Sequence, residues 1–307
     1  LVGEGLLVGG RVPRVWKSVA IVLRHRRLGD ADRIVTLLTP GRGKVDVVAK
    51  GLLRSKSKLA GHLEPLTQCE VVLAHGRSMD LVTQAQTVEP FVGLHGSLEL
   101  LSSAMYLLEL ADRFTVEHGD AGDVYELLDV GLQRLARGGG VQLVTRGFEL
   151  GLLAATGFRP ELERCVVTGE AVAADEAWWS VSGGGVVSAA GLPRHAEAVR
   201  IDGRVLRVLR AFQSLPYEEA GRIRIDPELA GRLEQVMHGF VRAQAERDLK
   251  SAEFVSESRR VTLATQVGDA AGEVVEGCGE DGVGDEVEEP EGAGGAIDTA
   301  WGDGPLG

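Results

Sequence analysis

Residues 34–58 read IVTLLTPGRGKVDVVAKGLLRSKSK. Two apolar runs, 34–38 and 44–49, flank a Pro40-Gly41 break, and the second runs straight into a basic loop. Pro-Gly between two β-branched runs is turn chemistry, so the runs are read as strands. From Arg42 to Lys58 there are six basic residues and one acidic residue, in a chain whose formal net charge is −12. A short strand feeding a cationic loop is a way for a small barrel to meet a phosphate backbone.

The pattern extends to both sides. Residues 17–25 form an apolar run, joined to 34–38 by the polar connection RRLGDADR. A loop over 51–64 is followed by a run at 66–74, a turn at 75–78 and a run at 81–88, before Pro90. Five short strands in about 75 residues make an all-β unit, and closing it removes exposed edges. An OB barrel and an SH3-like barrel both satisfy this periodicity.

From Leu98 the period changes. Residues 98–114, 124–136 and 141–155 carry apolar residues three and four apart and predict helices, with Ser97 at the cap position of the first. Gly138-Gly139-Gly140 stops the second helix, and Gly157 and Pro160 stop the third. Residues 161–192 are Gly-rich and read as irregular around Trp178 and Trp179. Helices are predicted again over 195–214 and 227–249, the latter capped by Asp226. The expected fold is α+β. A five-stranded OB barrel over 16–92 precedes an all-helical domain over 93–260, with an insertion at 161–192. An extension over 1–15 is expected to be poorly ordered or to lie upstream of the translation start. A tail over 261–307 is expected to be disordered.

Charge is unevenly spread. From Thr262 onward there are twelve acidic residues and no Lys or Arg, whereas residues 1–63 hold thirteen basic and four acidic ones. A −12 tail beside a +9 front could cover the cationic surface intramolecularly or serve only as a solubilising appendage. No apolar run approaches 18 residues and no secretory pattern opens the chain, so the expected location is cytoplasmic, without a membrane. Cys69, Cys165 and Cys278 are too few and too scattered for a disulfide framework, and Cys69 is read as a small buried hydrophobe.

The candidate nucleic-acid contacts are Arg24, Arg27, Arg33, Lys44, Lys50, Arg54, Lys56 and Lys58, with Arg26 among the same front charges. The bland alternative is a solvated surface. Trp16 and Phe91 are the front's large aromatics and are read as lying outside the strands. Binding is therefore expected to rest on charge, with strong salt sensitivity and little sequence preference. His25, His62, His75 and His95 are too dispersed to predict a metal cluster. Asp30 and Asp32 are read as turn residues paired with Arg27 or Arg33. No nucleotide-binding, GxSxG or HExxH motif appears, and Ser182 to Gly185 has no His-Asp arrangement in view, so no enzyme is expected. Cys165-Val166-Val167-Thr168-Gly169 has the shape of a zinc knuckle lacking its second thiol, with Ser188 and Gly191 where a second pair would stand. One thiol cannot make a structural zinc site, so no metal or other cofactor is expected.

The ordered series AIVLRHRRLGDADRIVTLLTPGRGKVDVVAKGLLRSKSKLAGHLEPLTQCEVVL, GRSMDLVTQAQTVEPF, YLLELADRF, FELGLLAATGFRPELERCVVTG and GGGVV resembles the RecO family over about residues 17–255. The resemblance implies an OB domain and a helical domain, often with a four-cysteine zinc finger. At those four positions this chain has Cys165, Thr168, Ser188 and Gly191, a degenerate finger. It further implies binding of single- and double-stranded DNA, annealing of complementary strands, and loading of RecA with RecR onto DNA coated by single-strand-binding protein. The eight basic candidates fall in the domain to which DNA contact is assigned. A protein-interaction scaffold and an RNA-binding OB protein are the competing expectations.

Overall fold

Five strands, β1 (Val15–Leu28), β2 (Asp32–Thr39), β3 (Gly43–Ala49), β4 (Gln68–Ala74) and β5 (Asp80–Glu89), close into a barrel in the order β1-β2-β3-β5-β4. Its seams are antiparallel except β3–β5, which is parallel and pairs only Val47 with Asp80 and Val48 with Leu81. That order is the five-stranded OB-like arrangement and decides between the two barrels. The computed structural model describes residues 15–215 and 223–246, all within the unit Leu1–Glu253. The expected acidic tail, Cys278 and residues 1–14 of the expected extension lie outside the described residues.

Burial alternates along β3, with Val45, Val47 and Ala49 inside and Lys44, Asp46 and Val48 less buried. Ala20, Val22, Val35, Leu37, Cys69, Val71 and Leu73 complete the small aliphatic interior. Cys69 is fully buried, and burial pushes its thiol up to about 12. It packs as a hydrophobe, as its sequence context implied.

β1 outruns the apolar stretch that predicted it. It pairs with β4 from Val15 to Ile21 and with β2 from Ile21 to Leu28, with a bulge between Val22 and Arg24. Backbone pairing rather than side-chain polarity sets strand length, so β1 continues through Arg26 and Arg27. At the other end it takes in Trp16, which corrects the expectation that no aromatic lies inside a strand. Ile21, Leu23 and Leu38 face away from the barrel interior and join the core of the helices.

That core is built by α1 (Leu98–Phe114), α2 (Gly122–Ala136), α3 (Val141–Ala155), α4 (Gly203–Ser214) and a helix, α5, over the described residues 227–246. Ser97 Oγ accepts the N–H of Leu100 at 3.1 Å, and Asp226 Oδ1 accepts that of Leu229 at 2.8 Å, so both expected caps form. On α3, the buried Glu149 meets Arg146 at 3.0 Å and accepts the Tyr106 hydroxyl at 2.8 Å. Burial outweighs both partners and pushes Glu149 up to about 7.

The helix predicted over 195–214 starts only at Gly203. Asp202 caps it by accepting the Arg204 N–H at 2.8 Å, and Val199–Arg200 instead form strand β8, paired with β6 (Trp178–Ser180). With β7 (Gly185–Val187) they make a three-stranded sheet, so the domain expected to be all-helical contains sheet, and the insertion is more regular than its composition implied. Trp179 is buried against Phe240 at 5.2 Å between ring centroids and anchors this sheet on α5.

Candidate nucleic-acid interface

The basic residues separate by what holds them. Arg27 and Arg33 stand directly opposite each other on β1 and β2, and Arg33 pairs on its other side with Ala49, immediately before Lys50. Like charges facing across a ladder are destabilising, a cost that an anion relieves. The loop after β3 is tied to the same end of the barrel. Leu53 N–H donates to the Ala31 carbonyl at 3.0 Å, and Asp32 Oδ1 accepts the Gly51 N–H at 2.7 Å. Gly51 has φ +64, a left-handed turn natural to glycine. Leu52 and Leu63 plug into the barrel core from either end of the loop. The cationic loop is therefore anchored, and Asp32 holds this loop rather than pairing with arginine.

Among the described residues, Arg27, Lys50, Arg54, Lys56 and Lys58 are exposed and carry no side-chain hydrogen bond or ion pair. These five form a free cationic group around the β1–β2 hairpin and the β3–β4 loop. Arg33 is half-buried and donates to the carbonyl of Asp32. Arg24 and Lys44 are held elsewhere: both reach Asp112 on α1, at 2.5 and 3.1 Å. Lys44 keeps 14% of its side-chain surface exposed and also donates to the Asp112 carbonyl. Arg26 pairs with Asp46, which also accepts the Thr36 hydroxyl at 2.5 Å. These contacts join the barrel to α1 and tie β1 and β2 to β3. Sequence proximity grouped them with the free cations, and pairing separates them.

The histidines are dispersed. His25 Nε2 meets the Leu63 carbonyl, His62 Nδ1 meets Thr87 Oγ1 at 2.9 Å, and His75 Nδ1 meets Asp80 Oδ1 at 3.0 Å. His95 is exposed beyond the barrel. The four finger positions do converge. Cys165 Sγ accepts the Ser188 N–H at 3.3 Å, and a Cβ built on Gly191 would lie 3.0 Å from that sulfur and 2.8 Å from Val187 Cγ1. Burial raises the Cys165 thiol, yet hydrogen bonds from Ser188 and Thr168 outweigh it and bring the thiol down to about 6. One thiol, two hydroxyls and a glycine without room for a side chain do not fit a tetrahedral zinc.

The sequence reading missed a polar cluster beside the finger. Ser180 Oγ lies 2.7 Å from Glu197 Oε1 and 3.1 Å from His195 Nδ1, which itself meets Glu197 Oε1 at 3.1 Å. Ser182 also donates to this carboxylate, and the hydroxyls of Ser182 and Ser180 lead the bonds that pull Glu197 down to about 2. Serine, histidine and glutamate meet here, but the hydroxyl and the imidazole converge on one carboxylate oxygen. In a nucleophilic triad the imidazole stands between the other two. Ser180 is also fully buried. The cluster braces the β6–β7 turn.

Among the described residues no helix is long and apolar enough to cross a membrane. Residues 14–91 match the family model for the recombination protein O N terminal, and residues 95–253 match that for its C terminal. A DNA repair protein RecO of Roseiflexus sp. strain RS-1 is 35% identical over 263 residues, covering 84% of this chain and 92% of that protein. One of Heliobacterium modesticaldum is 37% identical over 242 residues, covering 78% and 88%. One of Dehalococcoides mccartyi strain CBDB1 is 32% identical over 257 residues, covering 82% and 99%. With an OB-like barrel leading into helices, and both family models matched in order along it, the chain belongs to the RecO family.

Proposed function

We propose that this protein acts in DNA repair and recombination as a non-catalytic DNA-binding mediator. It binds single- and double-stranded DNA through the barrel and anneals complementary strands. With RecR it helps load RecA onto DNA coated by single-strand-binding protein. The observation that carries the reading is the group of five unpaired cations at one end of an OB-like barrel, in a member of the RecO family. Such a group neutralises phosphates without reading bases, as a protein that must accept any sequence requires. Zinc takes no part, and the degenerate finger is held by the Cys165 hydrogen bonds and by Trp179. The protein works in the cytoplasm, at the nucleoid.

The test is annealing of two complementary oligonucleotides, one labelled with a donor dye and one with an acceptor, with and without a single-strand-binding protein and RecR. Acceleration that survives coating by the single-strand-binding protein is expected. A protein that leaves the annealing rate unchanged and gives no saturable DNA binding at low salt would be a scaffold instead. Preference for RNA of equal length would mark an RNA-binding protein.

A further inference from the structure

We infer that the opposite end of the barrel carries a base-stacking subsite for one nucleotide of single-stranded DNA, built on Trp16 and Arg42. This inference rests on the DNA-binding reading of the barrel and adds a stacking contact to what has so far been charge alone. Trp16 opens β1 and packs partly against the barrel core. Its Nε1 donates to Asp80 Oδ2 at 2.6 Å, which ties the indole to the start of β5. Arg42, in the turn between β2 and β3, lays its guanidinium 4.1 Å from the centre of the Trp16 ring. Arg42 is exposed, and its side chain has no acidic partner among the described residues.

Beside this stack lies a cavity of about 390 Å³. Binding sites for small molecules run from roughly 300 to 1,000 Å³. The cavity exists because the β3–β5 seam pairs only two residues, which leaves the β3 edge around Val45 and Asp46 open beneath the β4–β5 hairpin. Its remaining wall is the loop at Glu117 and His118. His118 has φ +58, a left-handed conformation uncommon outside glycine, and its N–H is fixed on the Lys44 carbonyl at 2.9 Å.

Two of the three acids that line the cavity are engaged by other groups. Asp46 is engaged by Arg26 and Thr36, and Asp80 by Trp16 and His75. Glu117 is then the one lining acid without a side-chain partner among the described residues, against Arg42 and Arg77. A nucleobase is planar and can stack on the cationic arginine–indole platform whatever its sequence, while Arg77 and His118 stand at the rim for its phosphate. The seven residues of β3 separate this end from the free cations. At roughly 3.3 Å per residue that is about 23 Å, within reach of one strand crossing the barrel.

The experiment compares the full chain with Trp16→Leu, Trp16→Phe, Arg42→Lys and the triple reversal Arg54→Glu/Lys56→Glu/Lys58→Glu. Each is titrated with oligo(dT) and with an abasic oligomer of equal length. Wild type should bind oligo(dT) more tightly than the abasic strand. Trp16→Leu and Arg42→Lys should lose oligo(dT) affinity by roughly 5- to 150-fold, the range for one stacked base. They should keep abasic affinity and salt dependence, and Trp16→Phe should retain the base-dependent part. Arg42→Lys lies on an exposed turn and keeps the charge, so it decides the matter if Trp16→Leu fails to fold. Wild-type oligo(dT) affinity in Arg42→Lys, together with weakened binding in the triple reversal, overturns the subsite and leaves the DNA reading standing. Absence of DNA binding by the wild type defeats both.

Discussion

Replacing Arg54, Lys56 and Lys58 with glutamine removes three of the five unpaired cations and touches no ion pair in the structure. Each phosphate contact contributes about 0.7 to the slope of log affinity against log salt on single strands, and about 0.9 on duplex. The variant's slope should therefore be flatter than wild type by about 2.1 on single strands and about 2.7 on duplex. Raising salt from about 50 to about 200 mM should then cost wild type about 20-fold more single-strand affinity than it costs the variant. This difference depends only on the three residues changed, so further contacts elsewhere on the barrel do not alter it. Fluorescence anisotropy of a labelled oligonucleotide over a salt series measures it. The control is Lys44→Ala, whose ammonium is already committed to Asp112 and which should leave the slope unchanged. Equal slopes for wild type and the triple variant, or flattening in Lys44→Ala instead, would refute the division into free and committed cations.

Further expectations concern the finger and the seam between barrel and helices. Cys165 is held at about 6, below the ordinary 9.0 of its thiol, so folding favours the thiolate. The stabilisation from this group is complete above about pH 9 and disappears as pH falls through about 6. Thermal melts of wild type should therefore gain stability across that window relative to Cys165→Ser, and parallel pH profiles would exclude a native thiolate. Chelators and added zinc should leave the melting temperature unchanged, and a chelator-induced fall would reveal a metal after all. Gly191→Ala should cost about 1–3 kcal/mol in denaturant titration, because its methyl group would collide with Val187 and the Cys165 sulfur; a neutral result would mean that the finger interior is loose. Asp112→Ala should destabilise the protein by about 1–3 kcal/mol, as it leaves Lys44 largely buried without its carboxylate. An unchanged unfolding midpoint would show that these ion pairs contribute nothing.

The barrel was legible because β-branched runs and Pro-Gly or Gly breaks alternate at a spacing that few other arrangements tolerate. Its type was not, since the parallel β3–β5 seam involves two residue pairs far apart in sequence. The helices read well where a polar cap met an apolar stripe, as at Ser97 and Asp226. The stretch 195–202 was misread because Val199 and Arg200 owe their conformation to Trp178 and Trp179, twenty residues upstream. Among the candidate contacts, composition identified the basic front but could not divide it. Arg24 and Lys44 differ from Arg54 and Lys56 only through Asp112, which α1 delivers from a distant part of the chain. Trp16 escaped notice as a strand residue because the polar Lys17 and Ser18 part it from the apolar run, and its pairing partner is the distant Leu73.

Ile21, Leu23 and Leu38 turn their side chains out of the barrel and into the helical core. There is therefore no clean place to cut between barrel and helices. Severed near residue 92, the amino-terminal half would present these three aliphatics as a sticky face to water, and its partner would lose a wall of its interior. Barrel and helices thus share one apolar interior, and a substitution at any of these three positions is felt on both sides of it.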